Sequence, residues 1–153
     1  MHATTEIPVA SLRTQIWARL ELILFHVCIL GICAVLIGAF VIQFGYKEMP
    51  CPLCLIQRMC MILAALGPAY VLVEGRSRHA HGLSIMGSGF GMSILAAVGG
   101  MAVSARQVLL HIAPGDPGYG APVMGMHLYT WALVVFVAVI VVSGLTIMFQ
   151  PTL

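Results

Sequence analysis

The chain has 153 residues, of which 61% are hydrophobic and only 8% are charged, and its mean hydropathy is +1.05. Soluble domains carry about a quarter charged residues, so this composition excludes an ordinary soluble domain. The formal net charge of +2 is small and spread along the chain, which argues against a nucleic-acid-binding surface. A membrane protein is the class that remains.

Four apolar runs are long enough to cross a membrane as helices. About 20 apolar residues are needed to span about 30 Å of hydrocarbon. The predicted helices lie at about 22–44, 55–73, 83–103 and 128–149. Each run is longer than the roughly 7 to 15 residues of a signal-peptide core, so we expect the first helix to be retained. The predicted fold is an all-α membrane protein, a single four-helix transmembrane domain over residues 1–153.

The positions of Lys and Arg predict the orientation, because positively charged loops resist translocation. Four of the seven flank the N-terminus or the loop at about 74–82: Arg13, Arg19, Arg76 and Arg78. The other three lie toward the opposite side: Lys47, Arg58 and Arg106. We therefore expect both termini and the 74–82 loop in the cytoplasm. The loops at about 45–54 and 104–127 are expected outside, in the periplasm of a Gram-negative bacterium.

Five cysteines are distributed over the first and second runs. Cys28, Cys33 and Cys60 lie inside apolar runs, where free cysteine behaves as a small hydrophobic residue. Cys51 and Cys54 differ, because they stand three residues apart at the outer start of the second run.

The Cys51–Cys54 spacing is typical of a redox-active dithiol at the first turn of a helix. Neighbours three residues apart on a helix lie about 5 to 6 Å apart, which a disulfide can span. Pro50 and Pro52 suit a helix start and stiffen it, since proline lacks an N–H and presets φ. The helix N-terminus and a nearby cation such as Arg58 favour the nucleophilic thiolate.

Two other interpretations of the dithiol stay open. A structural disulfide is plausible on the outer face, although a bridge between adjacent helical turns constrains little. Two thiolates are half of a tetrahedral zinc site. A soft copper site is the other metal possibility, with ligands from Met49, Met124, Met126 and His127.

Arg58 lies one helical turn deeper than Cys54, and an ionisable residue inside a membrane helix is by default a functional-site hypothesis. Alternatively, the Arg58 side chain could extend back to the lipid headgroups without a functional role. With Gln57 beside it, Arg58 could hold the polar head of a lipid-soluble carrier and stabilise negative charge on its oxygens. His111 and His127 in the outer loop are candidates for moving protons, or simply interface residues.

Four membrane helices with the motif Cys51-Pro-Leu-Cys54-Leu-Ile-Gln-Arg58 and the stretch Ala105-Arg106-Gln107-Val108 resemble the DsbB family. The resemblance implies a membrane protein that reoxidises a periplasmic thioredoxin-like, DsbA-like protein and passes electrons to ubiquinone or menaquinone. It implies that Cys51 is the exchange-active cysteine, that Cys54 engages quinone, and that Arg58 lies beside the quinone ring. Gln57 stands where the family often has an acidic residue, and His111 corresponds roughly to a loop histidine near the quinone.

The chain departs from the family pattern at its second outer loop. That loop usually carries another cysteine pair, whereas residues 104–127 contain no cysteine. A two-dithiol relay is therefore impossible within this chain. Cys51 could exchange directly with a substrate, a partner could supply the second dithiol, or one of the three membrane cysteines could serve.

Three hypotheses for function follow. The first is a membrane thiol oxidant of the inner membrane, acting through Cys51 and Cys54. The second is a copper-binding or assembly module, and the third is a structural subunit of a larger membrane complex with a vestigial dithiol.

Overall fold

The computed structural model describes residues 9–47, 49, 51–75, 82–120 and 122–149. Over these residues the chain forms four helices: α1 (Val9–Tyr46), α2 (Pro52–Glu74), α3 (Gly82–Leu110) and α4 (Leu128–Met148). Each helix contains a stretch long and apolar enough to cross a membrane. The prediction of an all-α, four-helix transmembrane bundle is therefore confirmed.

The orientation of the termini stays a prediction. Arg76 and Arg78, which carry part of it, lie outside the described residues, as does Pro50 of the dithiol motif.

α1, α2 and α3 are longer than the apolar runs that predicted them, whereas α4 ends one residue before its run does. α3 ends at Leu110 rather than near residue 103, because its polar residue Gln107 is buried against α2 instead of lying in a loop. α2 begins at Pro52 rather than near residue 55, because Cys51 caps it. α1 begins at Val9, although its membrane-spanning part starts only at Arg19. Polarity thus marks the ends of the apolar runs but not the ends of the helices.

α3 lies at the centre of the bundle and packs against both α2 and α4, whereas α1 packs mainly against α2. The most apolar part of α3 is 39% buried, against 11% for α1, so α1 presents most of its surface to lipid. Two apolar clusters fill the interior. The first contains Phe25, Val71, Ile85, Met86 and Phe90, and the second contains Ile32, Met61, Ala97, Ala132 and Phe136.

Glycines allow α3 to approach its neighbours closely. A Cβ atom added at Gly67 of α2 would lie 2.3 Å from the Gly89 carbonyl oxygen, and one at Gly100 would lie 2.2 Å from the Phe136 ring. Such small-residue contacts are how membrane helices gain packing energy. Gly87 and Gly91 of α3 have the small-x-x-x-small spacing typical of membrane helix contacts, but they make no such contact, since a Cβ there would meet nothing within 4 Å. The close approach instead follows the face of α3 that contains Gly89 and Gly100.

A hydrogen bond between α2 and α3 compensates for a proline inside α2. Pro68 has no N–H, so it cannot donate to the carbonyl of Ala64 four residues earlier. The Ser93 hydroxyl of α3 donates to that carbonyl over 2.8 Å. A neighbouring serine thereby satisfies a backbone group that lipid could not.

We predict that Ser93→Ala lowers the free energy of unfolding by about 0.6 to 1.7 kcal/mol, from the average to the largest measured value for an interhelical hydrogen bond in membranes. In a Pro68→Ala background the same substitution should cost less, because the N–H of the new residue can donate to Ala64. Unfolding of all four proteins in mixed micelles measures the difference. An equal cost of Ser93→Ala in both backgrounds would contradict the assignment.

Candidate functional site

The dithiol is assembled by the local sequence at the start of α2. Cys51 is the N-cap residue, with an extended backbone at φ −72° and ψ 150°, and Pro52 opens the helix. The Cys54 backbone N–H donates to Cys51 Sγ over 3.1 Å, so the thiol takes the part that serine or aspartate plays at ordinary caps. Both cysteines are free thiols, with their sulfurs 2.8 Å apart. A disulfide needs about 2.05 Å, so less than about 1 Å of movement separates the two states.

Gln107 of α3 contacts both sulfurs, although the sequence analysis did not name it as a site residue. Its side chain is 2% exposed. Gln107 Nε2 donates to Cys51 Sγ over 3.4 Å and to Cys54 Sγ over 3.6 Å. Its Oε1 accepts from Gln57 Nε2 over 2.9 Å. Gln57 is therefore joined to the dithiol through Gln107.

A sequence signal for Gln107 exists. Buried residues of α3 recur every three or four positions, at Ser93, Ala97, Gly100, Ser104 and Gln107. This spacing continues the buried helical face past the end of the apolar run.

Arg58 is bound by α1 rather than extended toward the headgroups. Its Nη1 donates to Gln43 Oε1 over 2.5 Å, and its Nη2 donates to the Ala39 carbonyl over 3.5 Å. The guanidinium carbon lies 4.6 Å from the centre of the Phe40 ring, within the range of a cation–π contact. Sequence reasoning missed Gln43, a polar residue near the end of the first apolar run.

Two small cavities adjoin the dithiol. An outer cleft of about 30 Å³ lies between α2 and the loop before α4, and an inner cavity of about 70 Å³ lies deeper among α1, α2 and α4. Cys51 lines only the outer cleft, whereas Cys54 and Arg58 line both. The remaining outer-cleft residues are Gln43, Met49, Tyr119, Gly120, Leu128 and Tyr129. The remaining inner-cavity residues are Val35, Ala39, Gln57, Met61, Leu128, Trp131 and Ala132.

A larger cavity of about 290 Å³ lies between α1 and α4, toward the start of α1 and the end of α4. Its lining is mainly aliphatic, and it shares no residue with the cavities around Cys54. We do not assign it to the dithiol site.

The loop between α3 and α4 folds over the dithiol. The Tyr119 hydroxyl donates to the Met49 carbonyl, which ties the loop to the segment before Cys51. His127 stacks on Tyr129 with ring centres 5.2 Å apart, and Trp131 Nε1 donates to the Val123 carbonyl over 3.1 Å. The loop therefore forms one wall of the outer cleft.

His111 belongs to this loop and not to either cavity. Its Nδ1 lies 3.1 Å from Asp116 Oδ2, and its ring lies 5.7 Å from the Tyr129 ring. Asp116 Oδ1 also accepts the Gly118 N–H over 2.8 Å. The Gly118 N–H, and secondly His111, lower the pKa of Asp116 below its ordinary value of 3.8. A role of His111 at a quinone stays a prediction.

Of the residues suggested for copper, Met49 lines the outer cleft with both cysteines, whereas Met124, Met126 and His127 line neither cavity at the dithiol. Within the described ranges, no group of three or more His, Cys, Asp or Glu side chains is close enough to hold a metal ion. Met49 and Met124 are 81% and 86% exposed. The polar side chain that the two sulfurs share is the Gln107 amide.

We predict that Gln43→Leu loosens the outer end of α1, because Arg58 loses its charged hydrogen bond. Such bonds contribute about 1.5 to 3 kcal/mol, and we expect a loss of that order in unfolding free energy. Hydrogen exchange should also increase near Ala39. Val41→Leu, at an exposed position of the same helix end, is the matched control. Equal stability of the two variants would argue against a stabilising contact between Arg58 and α1.

We predict that acid loosens the outer loop through Asp116. Because its pKa is lowered in the folded loop, the carboxylate stabilises the loop above pH 3.8, and this stabilisation is lost as the pH falls through the lower folded value. Amide exchange at Gly118, corrected for intrinsic rates, should therefore rise only below pH 3.8. Asp116→Asn keeps an acceptor for Gly118 but should show no such acid step. A step near neutral pH that persists in Asp116→Asn would assign the transition to another group.

Comparison with known proteins identifies the family. The family model described as Disulfide bond formation protein DsbB matches residues 21–118. Disulfide bond formation protein B of Chromohalobacter salexigens is 40% identical over 92 residues, covering 58% of this chain and 51% of that protein. Disulfide bond formation protein B 2 of Burkholderia lata is 28% identical, covering 95% and 96%. The protein of Neisseria meningitidis serogroup C is 33% identical, covering 77% and 72%.

The match spans about half the length of the Chromohalobacter protein and nearly all of the Burkholderia protein. No solved structure matches the chain. The resemblance inferred from the dithiol motif is confirmed, and the four membrane-spanning helices agree with it. The chain belongs to the DsbB family of membrane disulfide bond formation proteins and is a multi-pass protein of the bacterial inner membrane.

Proposed function

We propose that this protein reoxidises a periplasmic thioredoxin-like, DsbA-like protein through Cys51 and Cys54, and that it passes the electrons to a membrane quinone. The observation that supports this most directly is the position of Cys54, which lines both the outer cleft and the inner cavity. One sulfur pair is thus accessible from two sides. In this proposal the outer cleft faces the periplasm.

On the outer side, Cys51 is the residue open to exchange. A partner thiolate attacks Cys51 Sγ, and the Cys51–Cys54 bond breaks, so that Cys54 leaves as a thiolate. The second partner thiolate then attacks the partner sulfur of the mixed disulfide and releases Cys51. The partner leaves with a disulfide, and the Cys51–Cys54 pair has gained two electrons.

On the inner side, the residues present suit a quinone headgroup. The inner cavity combines an apolar wall, including Met61 and Trp131, with the polar groups of Gln57 and Arg58. Arg58 has five N–H donors. Gln43 Oε1 accepts from Nη1 and the Ala39 carbonyl accepts from Nη2, so the other N–H groups can donate to a quinone carbonyl oxygen. A bound quinone supplies the capacity to accept two electrons and two protons.

Each residue of the chain then has a defined part. Arg58 and Gln57 would hold the polar head, with the positive charge of Arg58 stabilising negative charge on its oxygens. The apolar wall excludes water from Cys54. His111, held by Asp116 on the loop side, is proposed to exchange protons with water rather than to contact the headgroup.

A single dithiol is sufficient for this scheme. The outer loop has no cysteine, and its Tyr119 instead ties it to the Met49 carbonyl beside Cys51. The partner therefore exchanges with Cys51 directly, without an intermediate pair.

The test uses purified protein with a reduced thioredoxin-like partner and a soluble quinone analogue. Cys54→Ser should reduce quinone turnover to background. When it is mixed with the oxidised partner, its Cys51 thiolate should attack the partner disulfide, release one partner thiolate and remain in a mixed disulfide. Cys60→Ser, which removes a thiol deeper in the same helix, is the matched control and should turn over like the unmodified protein. Turnover that survives in Cys54→Ser would refute the proposal, as would mixed disulfides at a cysteine other than Cys51.

A further inference from the structure

Gln107 is buried at the dithiol, and the proposed function so far gives it no part. Its side chain is 2% exposed, on a helix inside a membrane bundle. Burying an amide is costly unless its donors and acceptor are paired. The hydrogen-bond partners of the Gln107 amide therefore indicate its role.

The Gln107 amide contacts the two sulfurs mainly through its nitrogen. Nε2 lies 3.4 Å from Cys51 Sγ and 3.6 Å from Cys54 Sγ. Its oxygen accepts from Gln57 Nε2 over 2.9 Å and lies 4.0 Å from Cys54 Sγ. This nitrogen carries two N–H bonds, one for each sulfur.

Both sulfurs become negatively charged at some stage of exchange. Hydrogen bonds to an ionised acceptor are roughly twice as strong as those between neutral groups. A donor beside the sulfurs therefore stabilises a leaving thiolate more than it stabilises the intact disulfide. Cys51 Sγ has a second such donor in the Cys54 backbone N–H, 3.1 Å away.

We propose that Gln107 is a catalytic residue that donates its amide hydrogens to the two sulfurs as each leaves. When a thiolate attacks Cys51 Sγ, a new S–S bond forms, the Cys51–Cys54 bond breaks, and its electron pair goes to Cys54 Sγ beside Gln107 Nε2. When the second thiolate attacks the partner sulfur, the electron pair goes to Cys51 Sγ, which Gln107 and the Cys54 N–H both face. Two electrons enter the pair, and the partner becomes a disulfide.

This role has a thermodynamic consequence that rests on the proposed function only for the identity of the natural thiol donor. Where the reduced pair carries a thiolate, Gln107 stabilises that form and makes the Cys51–Cys54 disulfide a stronger oxidant, as stabilisation of a reduced form does in general. Gln57 is a positioning residue in this scheme, because it acts through Gln107.

The experiment measures the equilibrium of the Cys51–Cys54 pair in glutathione redox buffers, by acid quenching and thiol trapping of the purified protein. It requires neither quinone nor the protein partner. Gln107→Met keeps the length of the side chain but removes both donors. We expect the rate of attack by glutathione to fall about tenfold, since hydrogen bonds to charged groups contribute at least that factor and the leaving sulfur carries the charge. The equilibrium constant for reduction by glutathione should fall by less, because the reduced pair can also be neutral.

Ser104→Ala is the matched control. Ser104 lies one turn earlier on α3, is fully buried, and its hydroxyl has no hydrogen-bond partner within the described part of the chain. In Ser104→Ala, the equilibrium constant of the Cys51–Cys54 pair for reduction by glutathione should equal that of the unmodified protein. If Gln107→Met does not accumulate, Gln57→Met provides the second measurement and should shift the constant in the same direction by less.

An unchanged constant and rate in Gln107→Met would overturn the inference, as would an equal shift in Ser104→Ala. Neither outcome would affect the proposed function, which depends on turnover by Cys51 and Cys54. Conversely, if Cys54→Ser retained turnover, the proposed function would fail even with the glutathione result intact.

Discussion

The contact between α2 and α3 is the constraint on which the rest of the structure depends. Inside a membrane, polar groups find no water, so they must be paired within the bundle. Close approach at Gly67 and Gly89 brings the two helices near enough for Ser93 to reach the carbonyl exposed by Pro68. The same contact, continued toward the end of α3, brings Gln107 against the dithiol at the start of α2. The packing of α2 against α3 therefore also determines which polar groups surround the two sulfurs.

α1 has a different relation to the bundle. It is the helix most exposed to lipid, and its outer end is held by Arg58 through Gln43, Ala39 and Phe40. Arg58 also lines the two cavities that meet at Cys54. One cation therefore joins α1 to α2 and provides positive charge where the dithiol meets the membrane interior. A charge at this depth is costly, and the contacts with α1 offset part of that cost.

The loop between α3 and α4 contributes a wall to the dithiol site. It carries no thiol, but Asp116 organises its turn by accepting from Gly118, and Tyr119 anchors it to Met49. The loop thereby forms a wall of the cleft that contains Cys51. Because this loop has no cysteine, the Cys51–Cys54 pair is the proposed point of exchange.

Several features were determined by the sequence alone. Four apolar runs predicted the membrane helices, because helix length is set by the thickness of the bilayer. The Cys51–Cys54 spacing and Pro52 predicted a dithiol at a helix start, because capping and i,i+3 proximity are local properties. The tertiary structure decided the partners: Gln107 at the sulfurs, Gln43 at Arg58, and Ser93 at the Pro68 gap. These residues are 15 to 56 positions away from the groups they contact. No local rule relates them, since their meeting depends on which helix faces touch and on glycines that let them approach.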